Sequence, residues 1–129
     1  MPAELNHTIV AARDKHASAT WLAELLGLDV GAQYGPFVPV TTHNGVDLDY
    51  ADAGTGEITS QHYAFLVAED EFDAILARIR DAGITHYAGP GPQGPGEINT
   101  EDGGRGTYFI DPDGHVMEIL TRPYGSGAR

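Results

Sequence analysis

Hydrophobic and polar positions divide the chain into two runs of similar design. "LNHTIVAARD" at 5–14 and "QHYAFLVAED" at 61–70 are each a short stretch of β-branched, aromatic and aliphatic residues closed by charge. That is the pattern of a half-buried strand, and the match aligns His7 with His62. Helical spacing follows each one. In the first, Trp21 and Leu25, and Leu22 and Leu26, stand four apart on a shared face, with Gly27 placed to end the helix. In the second, Phe72, Ile75, Leu76 and Ile79 form the stripe, Asp70 is placed to cap its start and Gly83 to stop it.

Beyond the first helix, "FVPVTT" and "VDLDYA" flank His43-Asn44-Gly45, and Asn-Gly between strand-like runs predicts a hairpin. Beyond the second, "ITHYA" leads into a long loop, then "RGTYFI", an Asp-Pro-Asp-Gly turn and "VMEILT", a second hairpin. Both halves read β-α-β-β, or βαβββ with one more short strand, which in the first half falls near 28–34. A unit of roughly 60 residues has little core of its own, so the two modules are expected to pack their sheets together around one interior. The expectation is a single α+β domain over 1–129, with module one at about 5–52, module two at about 61–122 and "AGTGEITS" at 53–60 joining them. The segment "GPGPQGPG" at 89–96 matches G-x-G-x-x-G, but prolines interrupt it and no helix opens after it, which rejects nucleotide binding. It is either a mobile surface loop or a lid over a site.

Composition narrows the partners. Seven Lys and Arg against nineteen Asp and Glu leave a net charge of −12, which repels phosphate backbones and anionic lipid, so no nucleic-acid or membrane partner is expected. The apolar runs fall far short of the ~20 residues that span a bilayer. The start, "MPAELNHTIV", has no basic segment followed by an apolar one, so the expected location is cytoplasmic. With no cysteine, any metal must be held by His, Asp or Glu.

One residue raises a chemical question. In "DPDGHVMEILTRPY" at 111–124, Glu118 sits among Val116, Met117, Ile119 and Leu120, where an ionised carboxylate is costly unless a cation or donors compensate it. Arg105 or Arg122 would serve. So would a metal: His7 and His62 stand at equivalent points of equivalent strands, and if the face of Glu118 lines their cavity, two imidazoles and a carboxylate converge as in open sites for divalent first-row metals. Aligning Asn44-Gly45 with Asp113-Gly114 sets Asp49 opposite Glu118, as a further ligand or an acceptor behind the ligands; a shifted register favours Asp47. His16, His43 and His115 are expected in solvent. His86, beside Tyr87 and the Gly/Pro loop, and Tyr108 are candidates to carry a proton or bind substrate. Arg105 either binds an anionic substrate group or pairs with a surface acid. The sequence contains no Cys nucleophile, Gly-x-Ser-x-Gly elbow or Walker-type loop.

"LNHTIV", "HYAFLV" and "GRGTYFIDPDGHVMEILTRPY" together resemble the vicinal oxygen chelate superfamily, which includes glyoxalase I, extradiol dioxygenases and bleomycin-resistance proteins. The likeness runs from about Leu5 to Pro123. It implies paired βαβββ modules forming a curved, cup-like mixed sheet with helices outside, in a homodimer, with His7, His62 and Glu118 on the ligand positions. Glyoxalase-like members use a fourth ligand at the position aligned with Asp49; ring-cleaving dioxygenases use three. Two functions follow. The first is an enzyme dependent on a divalent metal (Fe2+, Zn2+, Mn2+ or Ni2+), a dioxygenase or a glyoxalase-like lyase or isomerase, acting on a small molecule that chelates the metal through oxygens. Its catalytic candidates are Glu118, His86 and Tyr108. The alternative is a non-catalytic protein that sequesters an antibiotic or other natural product, motivated by the negative charge and by Trp21, Phe37, Tyr50, Tyr63 and Tyr108 as stacking groups. Tyr87 and Arg105 complete the candidate substrate contacts.

Overall fold

The computed structural model describes residues 2–127. Two compact units divide the chain, Met1–Ile58 and Thr59–Arg129. The first contains β1 (His7–Ala12), α1 (Lys15–Leu26), β2 (Phe37–Thr41) and β3 (Asp47–Asp52), with strand order β1-β3-β2. β3 runs parallel to β1 and antiparallel to β2. The second contains β4 (His62–Leu66), α2 (Glu69–Asp81), β5 (His86–Gly89), β6 (Gln93–Pro95), β7 (Gly106–Ile110) and β8 (Val116–Leu120), in the order β4-β8-β7-β5-β6. Helices with mixed sheets make this the α+β class that the sequence pattern predicts.

Each helix begins and ends for local reasons. Asp14 caps α1 by accepting from the Ala17 N–H at 3.1 Å, and Gly27 closes it at φ 71°, a left-handed conformation that favours glycine. In α2 the cap position belongs to Ala68 rather than Asp70: the Glu71 carboxylate reaches back to the Ala68 N–H at 3.2 Å, while Asp70 lies inside the first turn. In the first unit, Val10, Ala12, Val38, Val40, Leu48 and Tyr50 are buried together with Leu22, Leu25 and Leu26 of α1. In the second, Phe109, Met117 and Ile119 form the same kind of layer with Phe72, Ile75, Leu76 and Ile79 of α2. This alternation leaves the opposite face of each sheet for other purposes.

Two expectations about strands change. Near 28–34 there is no strand, only isolated bridges from Val30 to Val40 and from Tyr34 to Phe37. The Gly/Pro segment contributes to a hairpin, with β6 pairing back on β5 through Tyr87–Pro95 and Gly89–Gln93. His115, expected in solvent, is wholly buried. It accepts the Gln61 N–H at Nδ1 (3.1 Å), which ties the start of β4 to the turn before β8.

Candidate functional site

Alternation along β8 puts Val116, Glu118 and Leu120 on the face away from α2, and cross-strand pairing sets Ala64 of β4 and Tyr108 of β7 on either side of Glu118. His62, paired with Val116, joins that face. Glu118 is wholly buried, and its Oε1 lies 3.0 Å from His62 Nε2. The other ring nitrogen, Nδ1, is 3.0 Å from the Val116 carbonyl, which only accepts, so Nδ1 carries the proton. In the neutral ring Nε2 is then a bare lone pair aimed at a carboxylate oxygen. Two acceptors so close require something between them, either a proton, carried by the ring or by the carboxyl, or a bound cation. A backbone carbonyl fixing the remote ring nitrogen is also how metal-binding imidazoles are oriented.

The second oxygen of Glu118, Oε2, accepts from the Tyr124 hydroxyl, which in turn shares a 2.7 Å hydrogen bond with the Tyr108 hydroxyl. The Tyr108 ring stacks on His62 at 5.9 Å between centroids. Burial pushes both phenols above their ordinary range, and for Tyr124 the bond to Glu118 adds to it, so both keep their protons at neutral pH. A cavity of about 440 Å³ lies beside the two tyrosines, lined by Tyr108, Tyr124, Gln93, Asn99, Glu101 and the β5–β6 hairpin; His62 and Glu118 do not line it, and Tyr108 and Tyr124 stand between it and the pair's hydrogen bonds. An imidazole and a carboxylate turned toward each other fit a divalent first-row metal. Among the described residues of this unit no third His, Asp or Glu joins them.

In the first unit, Asp49 occupies the position that Glu118 holds in the second: it pairs with Ile9, two residues beyond His7, as Glu118 pairs with Ala64, two beyond His62. It is 1% exposed, and Oδ2 accepts from Tyr34 at 2.5 Å while Oδ1 has no hydrogen-bond partner. A buried carboxylate oxygen without a donor is rare. The bond to Asp49 pushes the Tyr34 phenol up to about 12. Asp47 pairs instead with His7 in the ladder and accepts from Thr41 at 2.6 Å. His7 is exposed, with Nδ1 bonded to Asn6 Oδ1 at 2.8 Å.

Several candidates lie elsewhere. His86 pairs with Phe109, on the α2 side of the sheet, and is buried there. Its Nε2 accepts from Arg80 (3.3 Å) and its Nδ1 meets the Thr107 hydroxyl (3.0 Å); burial, then the Arg80 charge, lower its pKa. It is an interior imidazole on the α2 side, so the expected position beside the loop and facing a pocket is corrected. Tyr50 is fully buried on the α1 side, and Tyr63, on the α2 side, lies edge-on to His115, so neither is a stacking group on the Glu118 or Asp49 face. Arg105 is engaged by Glu69 (2.8 Å) and Asp73 (2.7 Å) and lies over the Phe72 ring, which leaves no fork for a substrate anion. Trp21 is half-buried on α1, and Phe37 packs on Tyr34. Tyr87 pairs with Tyr108 on the Glu118 face. Tyr124 was not among the candidates. It follows Pro123 beyond the last strand, where no periodicity assigns a direction to its ring.

The model of the Glyoxalase/Bleomycin resistance protein/Dioxygenase superfamily matches residues 4–119. The chain belongs to this family. Among its relatives is "Glutathione transferase FosA" of Serratia marcescens, 33% identical over 120 residues that cover 89% of this chain and 78% of that protein. Two solved structures are more similar. "Oxidase ChaP-H2" is 65% identical, with 99% of this chain and 100% of that one covered and a TM-score of 0.96. "Oxidase ChaP-H1" is 57% identical, with 96% and 99% covered and a TM-score of 0.92. All three bear the names of enzymes, and the class read from the sequence, a divalent-metal enzyme of the vicinal oxygen chelate type, stands. The sequestering alternative finds no support in them. No helix of the described residues is long and apolar enough to cross a membrane.

Proposed function

We propose that the protein is a divalent-metal-dependent oxidase acting on a small molecule that chelates the metal through neighbouring oxygens, with dioxygen as oxidant. The observation that carries the site is the facing pair of His62 Nε2 and Glu118 Oε1 at 3.0 Å, with Nδ1 already committed to a carbonyl. Oxidation is preferred to thiol transfer because the oxidase relative is 65% identical over nearly the whole chain, against 33% for the transferase. His62 and Glu118 hold the metal; no group of three His, Asp or Glu gathers among the described residues of one chain, and the family resemblance offers His7, of this chain or of a second copy, for the open position. The unpartnered oxygen of Asp49 makes it a fourth donor or an acceptor for a ligand or substrate proton. A bound divalent ion supplies Lewis acidity toward substrate oxygens, and iron supplies redox chemistry as well. Tyr108 and Tyr124, whose hydroxyl protons go to each other and to Glu118, line the cavity that holds the body of the substrate.

The working form is a cytoplasmic homodimer: β1 and β4, each at the end of its sheet, expose Ile9 and Leu66, apolar surface that a second copy covers. The test is metal analysis after reconstitution with Fe2+, Mn2+, Zn2+ and Ni2+, followed by oxygen uptake with a panel of vicinally oxygenated small molecules. Near one metal per chain in wild type, and far less in His62→Ala, is expected. Failure to retain stoichiometric metal with any of the four ions overturns the assignment.

A further inference from the structure

We propose that Tyr124 is a positioning residue for the metal centre: its phenol holds Glu118 by Oε2 so that Oε1 alone faces His62, and residues 123–127 are the strap that keeps it there. The inference rests on the metal site proposed above. A carboxylate has two equivalent oxygens, and one free to turn presents either or both to a cation. Here Oε2 is taken by the Tyr124 hydroxyl while Oε1 faces His62 Nε2 at 3.0 Å. Tyr108 braces the same hydroxyl from β7 at 2.7 Å. Tyr124 is thus anchored at its tip in a buried network, although the residue as a whole is 56% exposed.

Tyr124 lies outside the sheet, so something else must place it. Asp102 does so. Its carboxylate accepts from the Gly125 N–H at Oδ2 and from the Gly127 N–H at Oδ1, both at 3.1 Å. Asp102 itself sits at φ 54°, the one non-glycine residue with positive φ among those described, a conformation that Asp tolerates better than most side chains. The strap also passes very close to Asp102: a Cβ on Gly127 would stand 2.6 Å from the Asp102 Cα, so a larger residue there would push the strap away. Within the strap, the Pro123 carbonyl accepts the Ser126 N–H at 3.1 Å, and Arg122 Nη2 donates to the Ser126 carbonyl at 3.0 Å. These hydrogen bonds join the segments 101–104 and 122–127, neither of which carries a proposed ligand.

Calorimetric Co2+ binding and visible Co2+ absorption test this in wild type, Tyr124→Phe, Asp102→Gly and the double variant. Tyr124→Phe removes one oxygen from a largely exposed ring, and glycine at 102 relieves the positive φ while removing both acceptors, so all should fold. Tyr124→Phe should bind Co2+ about 10-fold more weakly or worse, as for other partners of metal ligands, with a changed absorption band because Oε2 is released. Asp102→Gly should weaken binding in the same direction, and the double variant should be no weaker than Tyr124→Phe, because both act through one bond. Wild-type affinity and spectrum in Tyr124→Phe overturn the positioning role. An Asp102→Gly effect undiminished in the Tyr124→Phe background overturns the strap. Absence of Co2+ binding in wild type overturns the metal site, and this inference with it.

Discussion

Substituting Glu118 by Gln separates two explanations of a buried carboxylate. Glutamine keeps the shape and turns one oxygen into a donor. Its carbonyl can accept from Tyr124, and its amide can donate to His62 Nε2, whose Nδ1 stays on the Val116 carbonyl. Every polar atom of the pair is then satisfied without a cation, so metal-free Glu118→Gln should be as stable as metal-free wild type or more so. With metal the order reverses. At 100-fold excess over Kd, binding stabilises the native state by about 2.7 kcal/mol. For a chain of this size each kcal/mol moves Tm by about 3–4 °C, so wild type should gain roughly 10 °C and Glu118→Gln close to nothing. Differential scanning fluorimetry with and without Mn2+, after chelator treatment, reads both effects. If Glu118 instead serves as a permanent partner of an imidazolium, the metal-free variant should be less stable than metal-free wild type by about 1 kcal/mol, the half-exposed His62 keeping the loss below that of a fully buried pair. That loss, or equal metal-induced shifts in the two proteins, refutes the reasoning.

Arg105→Met should lower Tm, because it removes the contacts to Glu69, Asp73 and Phe72, yet leave KM unchanged; a large rise in KM would restore Arg105 to the substrate site. His86 should titrate below the ordinary histidine value of about 6.5 when its ring Cε1–H is followed by NMR, because burial and then Arg80 disfavour its charged form. A lowered folded pKa means its contribution to stability is full above pH 6.5 and is lost as pH falls through the folded value; a midpoint at or above 6.5 contradicts the placement.

Much of the fold was legible because its signals are local. Asn44-Gly45 and Asp113-Gly114 mark hairpins wherever they occur between strands, and the Phe72, Ile75, Leu76, Ile79 stripe specifies a helix by spacing alone. The misreadings were non-local. The segment at 28–34 forms bridges rather than a ladder. The Gly/Pro segment closes a hairpin although prolines argue against strands, and its Pro95 is tolerated because β6 is the last strand of its sheet.

The site divides along the same line. Glu118 stands out because a charge in an apolar run is an energetic contradiction visible in one dimension, and the repeat points to His7 and His62 as its companions, of which His62 meets it at 3.0 Å. His86 was misplaced for the reason that made Glu118 clear. Neighbouring residues on a strand face opposite ways, and the register of β5 on β7, which sends Tyr87 to the Glu118 face and His86 toward α2, is set by a four-residue strand. A slip of one residue would exchange them, and nothing local forbids it. Tyr124 had no period to be read by. Its place depends on Asp102, 22 positions earlier, meeting two backbone N–H groups of the strap, a contact between irregular segments that residue type does not announce. Residues on regular strands can therefore be anticipated from pattern, whereas those on loops that bond to them, as Tyr124 does to Glu118, need the structure.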